Sequence, residues 1–153
     1  MSSRILTLAI AAFLALPSAL LAQPAARPLL YLTVFRNPST GLELRAGRIG
    51  VHLGFYPTIL KADGEVEGRN TNFIRVGATF YSSADRTSLY VSPSLVVSLD
   101  DRFRNGIFAD VGVRGRFSRS VAGRLGVGAL RTVDGEVRVN PTVGLDVRLG
   151  GAR

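Results

Sequence analysis

The sequence contains no cysteine, and among its 153 residues it has a single histidine, His52, and a single lysine, Lys61. Without cysteine there are no disulfide bonds, so an exported domain must be held together by a core or by closure of a sheet. A lone histidine also lacks the partners that a metal or catalytic site needs, so His52 is predicted to be a packed or lumenal side chain. The formal net charge is +8, and nearly all of the positive charge is arginine.

No pairing of a nucleophile with a base is visible in the sequence. Ser92, Ser94 and Ser98 alternate along one segment, but a serine nucleophile needs a base, and His52 is the only histidine that could serve. The glycine-rich run 123–128 is not followed by a helical pattern, as a phosphate-binding loop would be. No basic stripe with interleaved aromatic residues is present either. We therefore predict no enzymatic activity, no cofactor, no metal and no nucleic-acid partner.

The N-terminus has the layout of a secretory signal peptide. Arg4 precedes the apolar run Ile5–Leu16, and the small residue Ala22 offers a cleavage site. A membrane anchor is the alternative, since Ile5–Ala22 approaches the ~20 residues that span a bilayer. The absence of cysteine after the run excludes a lipoprotein anchor. The predicted divisions are a signal peptide Met1–Ala22, a short segment 23–28, a β-barrel domain 29–149 and a tail 150–153.

Alternation of apolar with polar or glycine residues is the main structural signal. From Ile49 to Ile59 every second residue is apolar, which is the period of a β-strand and does not fit a helix. The same period recurs in five later segments: Asn72–Ser82, Ser88–Leu99, Ile107–Phe117, Val121–Leu130 and Val137–Leu149. The chain after Ala22 has no apolar run long enough for a membrane helix, so it can cross a membrane only as strands of a closed barrel.

Two further strands are predicted upstream, over Leu29–Arg36 and Leu42–Ala46. The apolar parity changes from even to odd between Ala46 and Ile49, and a slip of one residue moves every side chain to the other face of a sheet. The chain must therefore turn or bulge at Gly47-Arg48. A turn gives eight strands, whereas a bulge would merge two of them into one bent strand.

The polar face is rich in glycine, which bears on the direction in which that face points. Glycine weakens a strand unless something packs closely on its backbone, and the lumen of a narrow barrel is such a place. The glycines concerned are Gly50, Gly54, Gly77, Gly112, Gly126, Gly128 and Gly144. We therefore expect the apolar face to meet lipid. The alternative is a soluble periplasmic barrel of the lipocalin kind, whose apolar face lines a cavity for a small apolar ligand.

The polar face also carries arginines with scattered acids, which suit an enclosed hydrogen-bonded network because guanidinium groups form several directed bonds. The glycines have more weight than the arginines, since a chain with one lysine can owe its arginines to a GC-rich genome. Glu43 is a further acid available for pairing. The predicted lumenal network comprises Arg48, His52, Arg75, Asp110, Arg114, Arg116, Arg124, Arg138, Asp146 and Arg148.

The connections between the predicted strands alternate between short ones, such as 82–86 and 118–120, and longer charged ones, such as 61–70 and 100–105. Outer-membrane barrels have short periplasmic turns and longer outer loops. Another turn is expected at Asn37-Pro38-Ser39-Thr40-Gly41. Three prolines lie within the alternating segments and are expected near strand ends or at bulges: Pro57, Pro93 and Pro141.

In this pattern the span Leu29–Leu149 resembles the small eight-stranded outer-membrane barrels of the OmpA and OmpX type, although no specific motif is shared. The resemblance implies an antiparallel up-and-down transmembrane barrel in the outer membrane of a Gram-negative bacterium. It implies outer-membrane lipid or lipopolysaccharide and the outer-membrane assembly machinery as partners, and a monomer as the oligomeric state. The last strand of such barrels usually ends in an aromatic residue, whereas this chain ends in Gly150-Gly151-Ala152-Arg153.

Overall fold

The computed structural model describes residues 28–35, 39–60, 69–99 and 105–149. The predicted signal peptide, the tail 150–153 and all of the segment 23–28 except Pro28 lie outside these described residues. Within them, no helix has the length and apolar character needed to cross a membrane.

Eight β-strands close into one antiparallel barrel, in which each strand pairs with its neighbours in chain order and the last pairs with the first. This confirms the predicted all-β fold. The strands are β1 (Leu29–Phe35), β2 (Ser39–Ala46), β3 (Ile49–Leu60), β4 (Arg69–Tyr81), β5 (Thr87–Ser98), β6 (Gly106–Arg116), β7 (Val121–Thr132) and β8 (Val137–Leu149).

A two-residue turn connects β2 to β3, so the alternative of a bulge at this point is excluded. Ala46 pairs directly with Ile49, and Gly47 has a φ of 58°. This left-handed backbone conformation is one that glycine adopts without steric cost. The turn reverses the direction of the chain, and the apolar positions change from even-numbered in β2 to odd-numbered in β3. This change places the apolar side chains of both strands on the same side of the sheet.

The turn expected over residues 37–41 is placed too late in the chain. Ser39, Thr40 and Gly41 belong to β2 and pair with Phe35, Val34 and Thr33 of β1. Gly41 fits this ladder because β3 runs very close to it: a Cβ at Gly41 would lie 2.9 Å from Gly54 Cα. Asn37 and Pro38 lie outside the described residues.

Pro93 departs from the expectation that the strand prolines lie near strand ends or at bulges, whereas Pro57 lies near the end of β3. Pro93 lies in the middle of β5, where the pairing with β4 stops at Gly77–Ser94 and resumes in the same register at Phe80–Val91. Pro57 lies beyond the last pair of β3 with β2, and Pro141 precedes the first pair of β8 with β1. Since proline cannot donate a ladder hydrogen bond, Pro93 occupies a position where the pairing with β4 is interrupted.

The apolar face points outward, as predicted. On β7, the outward side chains of Leu125 and Val127 are 65% and 50% exposed, whereas the inward side chain of Arg124 on the same strand is 4% exposed. The other described strands follow the same alternation, and apolar side chains such as Val111 and Val143 are half exposed. The soluble alternative requires the opposite orientation of the two faces, which these strands do not have.

The two ends of the barrel differ. The connections 47–48, 82–86 and 117–120 are short and lie at the same end as the start of β1 and the end of β8; we call this the turn end. The strand ends joined by 36–38, 61–68, 99–105 and 133–136 lie at the opposite end, which we call the loop end. The predicted alternation of connection lengths therefore holds for 61–68 and 99–105, whereas 36–38 and 133–136 are as short as the connections at the turn end.

Candidate functional site

An ionic network fills the lumen near the turn end, and Glu43 of β2 is one of its two acidic centres. The Oε1 atom of Glu43 accepts hydrogen bonds from Arg45 Nε at 2.8 Å and from the Tyr81 hydroxyl at 2.7 Å. Its Oε2 atom accepts a hydrogen bond from Arg124 Nη2 at 2.6 Å. Glu43 is 1% exposed. Both carboxylate oxygens are therefore satisfied by cations or a phenol, as a buried charge requires.

Asp146 of β8 is the second acidic centre. Its Oδ1 atom accepts a hydrogen bond from Arg124 Nε at 2.8 Å, and its Oδ2 atom accepts one from Arg114 Nε at 3.0 Å. Arg45 Nη2 lies 3.3 Å from the same Oδ2. Arg114 and Arg124 face each other directly across β6 and β7, and like charges in this arrangement repel. Asp146 bridges the two guanidinium groups and compensates that repulsion.

Aromatic rings enclose the network on its remaining sides. The guanidinium carbon of Arg45 lies 4.5 Å from the ring centre of Tyr31 and 4.0 Å from that of Tyr81. The guanidinium carbon of Arg124 lies 5.3 Å from the ring centre of Tyr90. Cations stacked on aromatic faces in this way are stabilised without contact to water. The turn-end half of the lumen is thus closed by bonded side chains.

A hydroxyl layer around His52 occupies the middle of the lumen. His52 Nδ1 lies 3.2 Å from Thr79 Oγ1, and its Nε2 lies 3.0 Å from Ser94 Oγ. Arg75 donates from Nε to Ser94 Oγ at 2.8 Å and from Nη2 to Ser92 Oγ at 2.9 Å. Both ring nitrogens of His52 are engaged by hydroxyls, which agrees with the predicted lumenal histidine.

Asp110 of β6 pairs with Ser92 of β5 and so lies beside this layer. The Tyr90 hydroxyl donates to its Oδ1 at 3.2 Å, and the Thr142 hydroxyl donates to the same oxygen at 2.9 Å. Asp110 is completely buried. Three strands therefore contribute to its hydrogen bonds.

An apolar plug, which the sequence analysis missed, occupies the lumen at the loop end. It consists of five buried side chains: Tyr56, Phe73, Val96, Phe108 and Leu130. The rings of Tyr56 and Phe108 lie 5.0 Å apart, within the usual range for an aromatic pair. Phe108 also contacts the cation of Arg75, whose guanidinium carbon is 4.4 Å from the ring centre. Each of these residues lies on the inward face of its strand by the alternation of side chains, and this position was the feature of the sequence that could have predicted the plug.

Glycines leave the space that these large side chains occupy. A Cβ atom at Gly126 would lie 2.7 Å from the Tyr90 hydroxyl and 3.0 Å from Gly112 Cα. A Cβ atom at Gly128 would overlap the ring of Phe108 and lie 3.1 Å from Thr142 Cγ2. The glycines on the inward face therefore leave room for aromatic rings and for close approach of neighbouring strands, as predicted for the lumen of a narrow barrel.

The structure places most of the predicted network residues in the lumen: His52, Arg75, Asp110, Arg114, Arg124 and Asp146. Arg138 also points inward and is partly buried. The prediction was wrong for Arg48 and Arg116, because both are exposed at the turn end. The barrel wall ends there, so a side chain on the inward face of its strand is no longer buried. Arg148 is half-buried at the same rim. Arg45, Tyr81 and Tyr90 are network members that the prediction omitted.

The lumen offers little room for a ligand or for chemistry. A pocket between Thr33, His52, Tyr56 and Arg75 has a volume of about 10 Å³, which is about the space of one water molecule. Within the described ranges, no three histidine or acidic side chains are grouped as a metal site would need. Bonded polar side chains and the apolar plug thus leave little open space, and among the described residues the buried side-chain atoms without a hydrogen-bond partner are Thr33 Oγ1, Ser88 Oγ and Arg138 Nε.

Comparisons with known proteins add little beyond this geometry. No family model matches the chain, and no curated protein matches it. A solved structure titled "De novo design of transmembrane beta-barrels" is similar, with 15% sequence identity and a TM-score of 0.49, covering 83% of this chain and 98% of that chain. The fold assignment rests on the strand register, which defines a closed eight-stranded antiparallel β-barrel with a polar lumen.

Proposed function

We propose that the protein is an outer-membrane β-barrel with a structural or interaction role and no catalytic activity. The observation that carries this proposal is the arrangement of the two faces, with half-exposed apolar side chains outside and an ionic network inside. In water, so much contiguous apolar surface would cause association, since soluble monomers rarely expose apolar patches above a few hundred Å². In lipid the same surface is favourable, and the polar groups must lie inside.

The lengths of the strands support a spanning barrel. From β3 onward each strand has 11 to 13 residues, and a tilted membrane strand needs about 9–11. The turn end would face the periplasm and the loop end the exterior, because outer-membrane barrels keep short turns on the periplasmic side. The proposed partners are outer-membrane lipid or lipopolysaccharide and the assembly machinery, and the proposed state is a monomer.

Fractionation of a Gram-negative host that expresses the full chain tests the location. We expect the protein only in the outer-membrane fraction, and we expect detergent to be required for its release, because the outward face is apolar. Recovery in the periplasmic supernatant without detergent would overturn the proposed membrane location. A periplasmic protein and an outer-membrane protein of the host serve as fraction markers.

Planar-bilayer recordings test the second part of the proposal, that the barrel is not a general porin. The ionic network and the apolar plug fill the lumen, as is usual for barrels of eight strands. We expect no large, stable conductance from the purified protein at concentrations at which a 16-stranded porin conducts. Persistent conductance steps of porin size would contradict the filled lumen.

A further inference from the structure

A basic pocket lies at the turn end, outside the lumen. It has a volume of about 500 Å³ and is lined by Arg86, Arg116, Phe117, Ser118, Arg119 and Arg148. These residues come from the β4–β5 connection, the end of β6, the β6–β7 connection and the end of β8. We call this concavity the turn-end arginine pocket.

Backbone hydrogen bonds hold the walls of the pocket together. The N–H of Arg116 donates to the carbonyl of Arg86 at 2.7 Å, and Arg86 Nε donates back to the carbonyl of Arg116 at 3.2 Å. The N–H of Arg148 donates to the carbonyl of Ser120 at 2.8 Å. Ser118 Oγ accepts a hydrogen bond from Val121 N at 3.1 Å and so fixes the β6–β7 connection. The four arginines are therefore attached to one joined framework.

Three arginines of the pocket, Arg86, Arg116 and Arg119, are not compensated by carboxylates as the lumenal arginines are. In the part of the chain that the structure describes, Arg86, Arg116 and Arg119 form no ion pair with a carboxylate. The nearby acid Asp85 instead accepts a hydrogen bond from Ser83 Oγ. Guanidinium groups match phosphate oxygens in geometry and bind them with charge-assisted hydrogen bonds. The pocket therefore has the chemistry of a phosphate site.

The position of the pocket indicates what carries the phosphate. Phe117 is 70% exposed and its ring lies against the backbone of Gly123 on the outward face. Leu89 and Leu125, also exposed, continue the apolar surface from there along the barrel. Aromatic residues concentrate at the boundary between lipid and water. The pocket thus lies where an apolar surface ends and a charged rim begins, which suits a molecule with acyl chains and an anionic head.

We propose that the turn-end arginine pocket binds the phosphate of an anionic phospholipid headgroup. This inference rests on the proposed membrane location and adds to it a specific ligand class and a specific site. The lipid would belong to the leaflet at the turn end, with its acyl chains beside Phe117. Binding would hold the barrel at a defined depth, because the phosphate plane is the fixed boundary of the leaflet.

The double variant Arg116→Gln/Arg119→Gln tests the site, because neither side chain forms a hydrogen bond or an ion pair within the described residues. The matched control is Arg131→Gln, an exposed arginine near the loop end. Native mass spectrometry of the full barrel in maltoside micelles measures binding of phosphatidylglycerol, with diacylglycerol as the phosphate-free probe and inorganic phosphate as competitor. An arginine near anionic lipid contributes about fivefold in affinity, so the double variant is expected to bind phosphatidylglycerol about 25-fold more weakly.

The proposal predicts that the parent prefers phosphatidylglycerol to diacylglycerol and that Arg131→Gln binds as the parent does. Equal binding of the two probes, or unchanged binding by the double variant, would overturn it. If inorganic phosphate at equal concentration displaces phosphatidylglycerol, the pocket is a site for free phosphate and the proposal of a lipid ligand is wrong. Failure of the parent to float with phosphatidylcholine vesicles would instead contradict the membrane location itself, so the two failures are distinguishable.

Discussion

Glu43→Gln is expected to lower the free energy of unfolding by about 3–5 kcal/mol, the cost of removing one partner from a buried ion pair. The substitution keeps the size of the side chain but removes the charge that contacts Arg45 and Arg124 at 2.6 Å each. Asp146 alone would then compensate three buried guanidinium groups. Urea titration of the barrel in lipid vesicles, followed by tyrosine fluorescence, measures the change.

Glu136→Gln is the matched control, because it makes the same chemical change in the connection between β7 and β8. Glu136 is only partly buried and its backbone, not its side chain, forms the hydrogen bonds of that turn. We expect a change within about 0.5 kcal/mol, as at most surface positions. Similar small effects of both substitutions would mean that the lumenal network does not stabilise the barrel.

The strands and the direction of their faces could be predicted from the sequence because both depend on a period of two. Once Ile49, Val51 and Leu53 share one side, the side chains between them must share the other. The change of parity at Gly47-Arg48 even located a turn, and Gly47 adopts the backbone conformation that a tight turn needs. These features are local, so a single sequence contains them.

The membership of the lumenal network was only partly predictable, because it depends on how far each strand extends and how the strands are staggered. Arg114 and Arg116 have the same parity, yet Arg114 bonds to Asp146 inside while Arg116 lies beyond the wall. The bond between Glu43 and Arg124 joins residues on strands that are not neighbours, across the lumen. Alternation along one strand contains no information about such pairs.

The apolar plug was missed because the inward face was interpreted as uniformly polar. Phe108 and Leu130 are paired across β6 and β7 and both point inward. A narrow barrel needs volume as well as hydrogen bonds in its interior, and large rings beside glycines supply it. Gly128, where a Cβ atom would overlap the ring of Phe108, is the sequence feature that could have indicated this.

Val127→Arg is expected to lower the free energy of unfolding in lipid by about 2–4 kcal/mol, the cost of arginine at the bilayer midplane on the lipid face of a barrel. Val127 lies in the middle of β7 and is half exposed on the outward face. In water an outward arginine at this position would cost little. The change in the free energy of unfolding therefore shows whether the outward face meets lipid or water. Urea titration of the barrel in vesicles measures this change.

The difference between Val127→Arg and Val137→Arg, both titrated in vesicles, tests the central claim most directly. Val137 is also exposed and outward but begins β8 next to the connection 133–136, where an arginine near the interface costs only about 0–1 kcal/mol. If the apolar face meets lipid, Val127→Arg destabilises the barrel by about 1–4 kcal/mol more than Val137→Arg does. Equal effects of the two substitutions would contradict a lipid-facing surface and with it the proposed outer-membrane barrel.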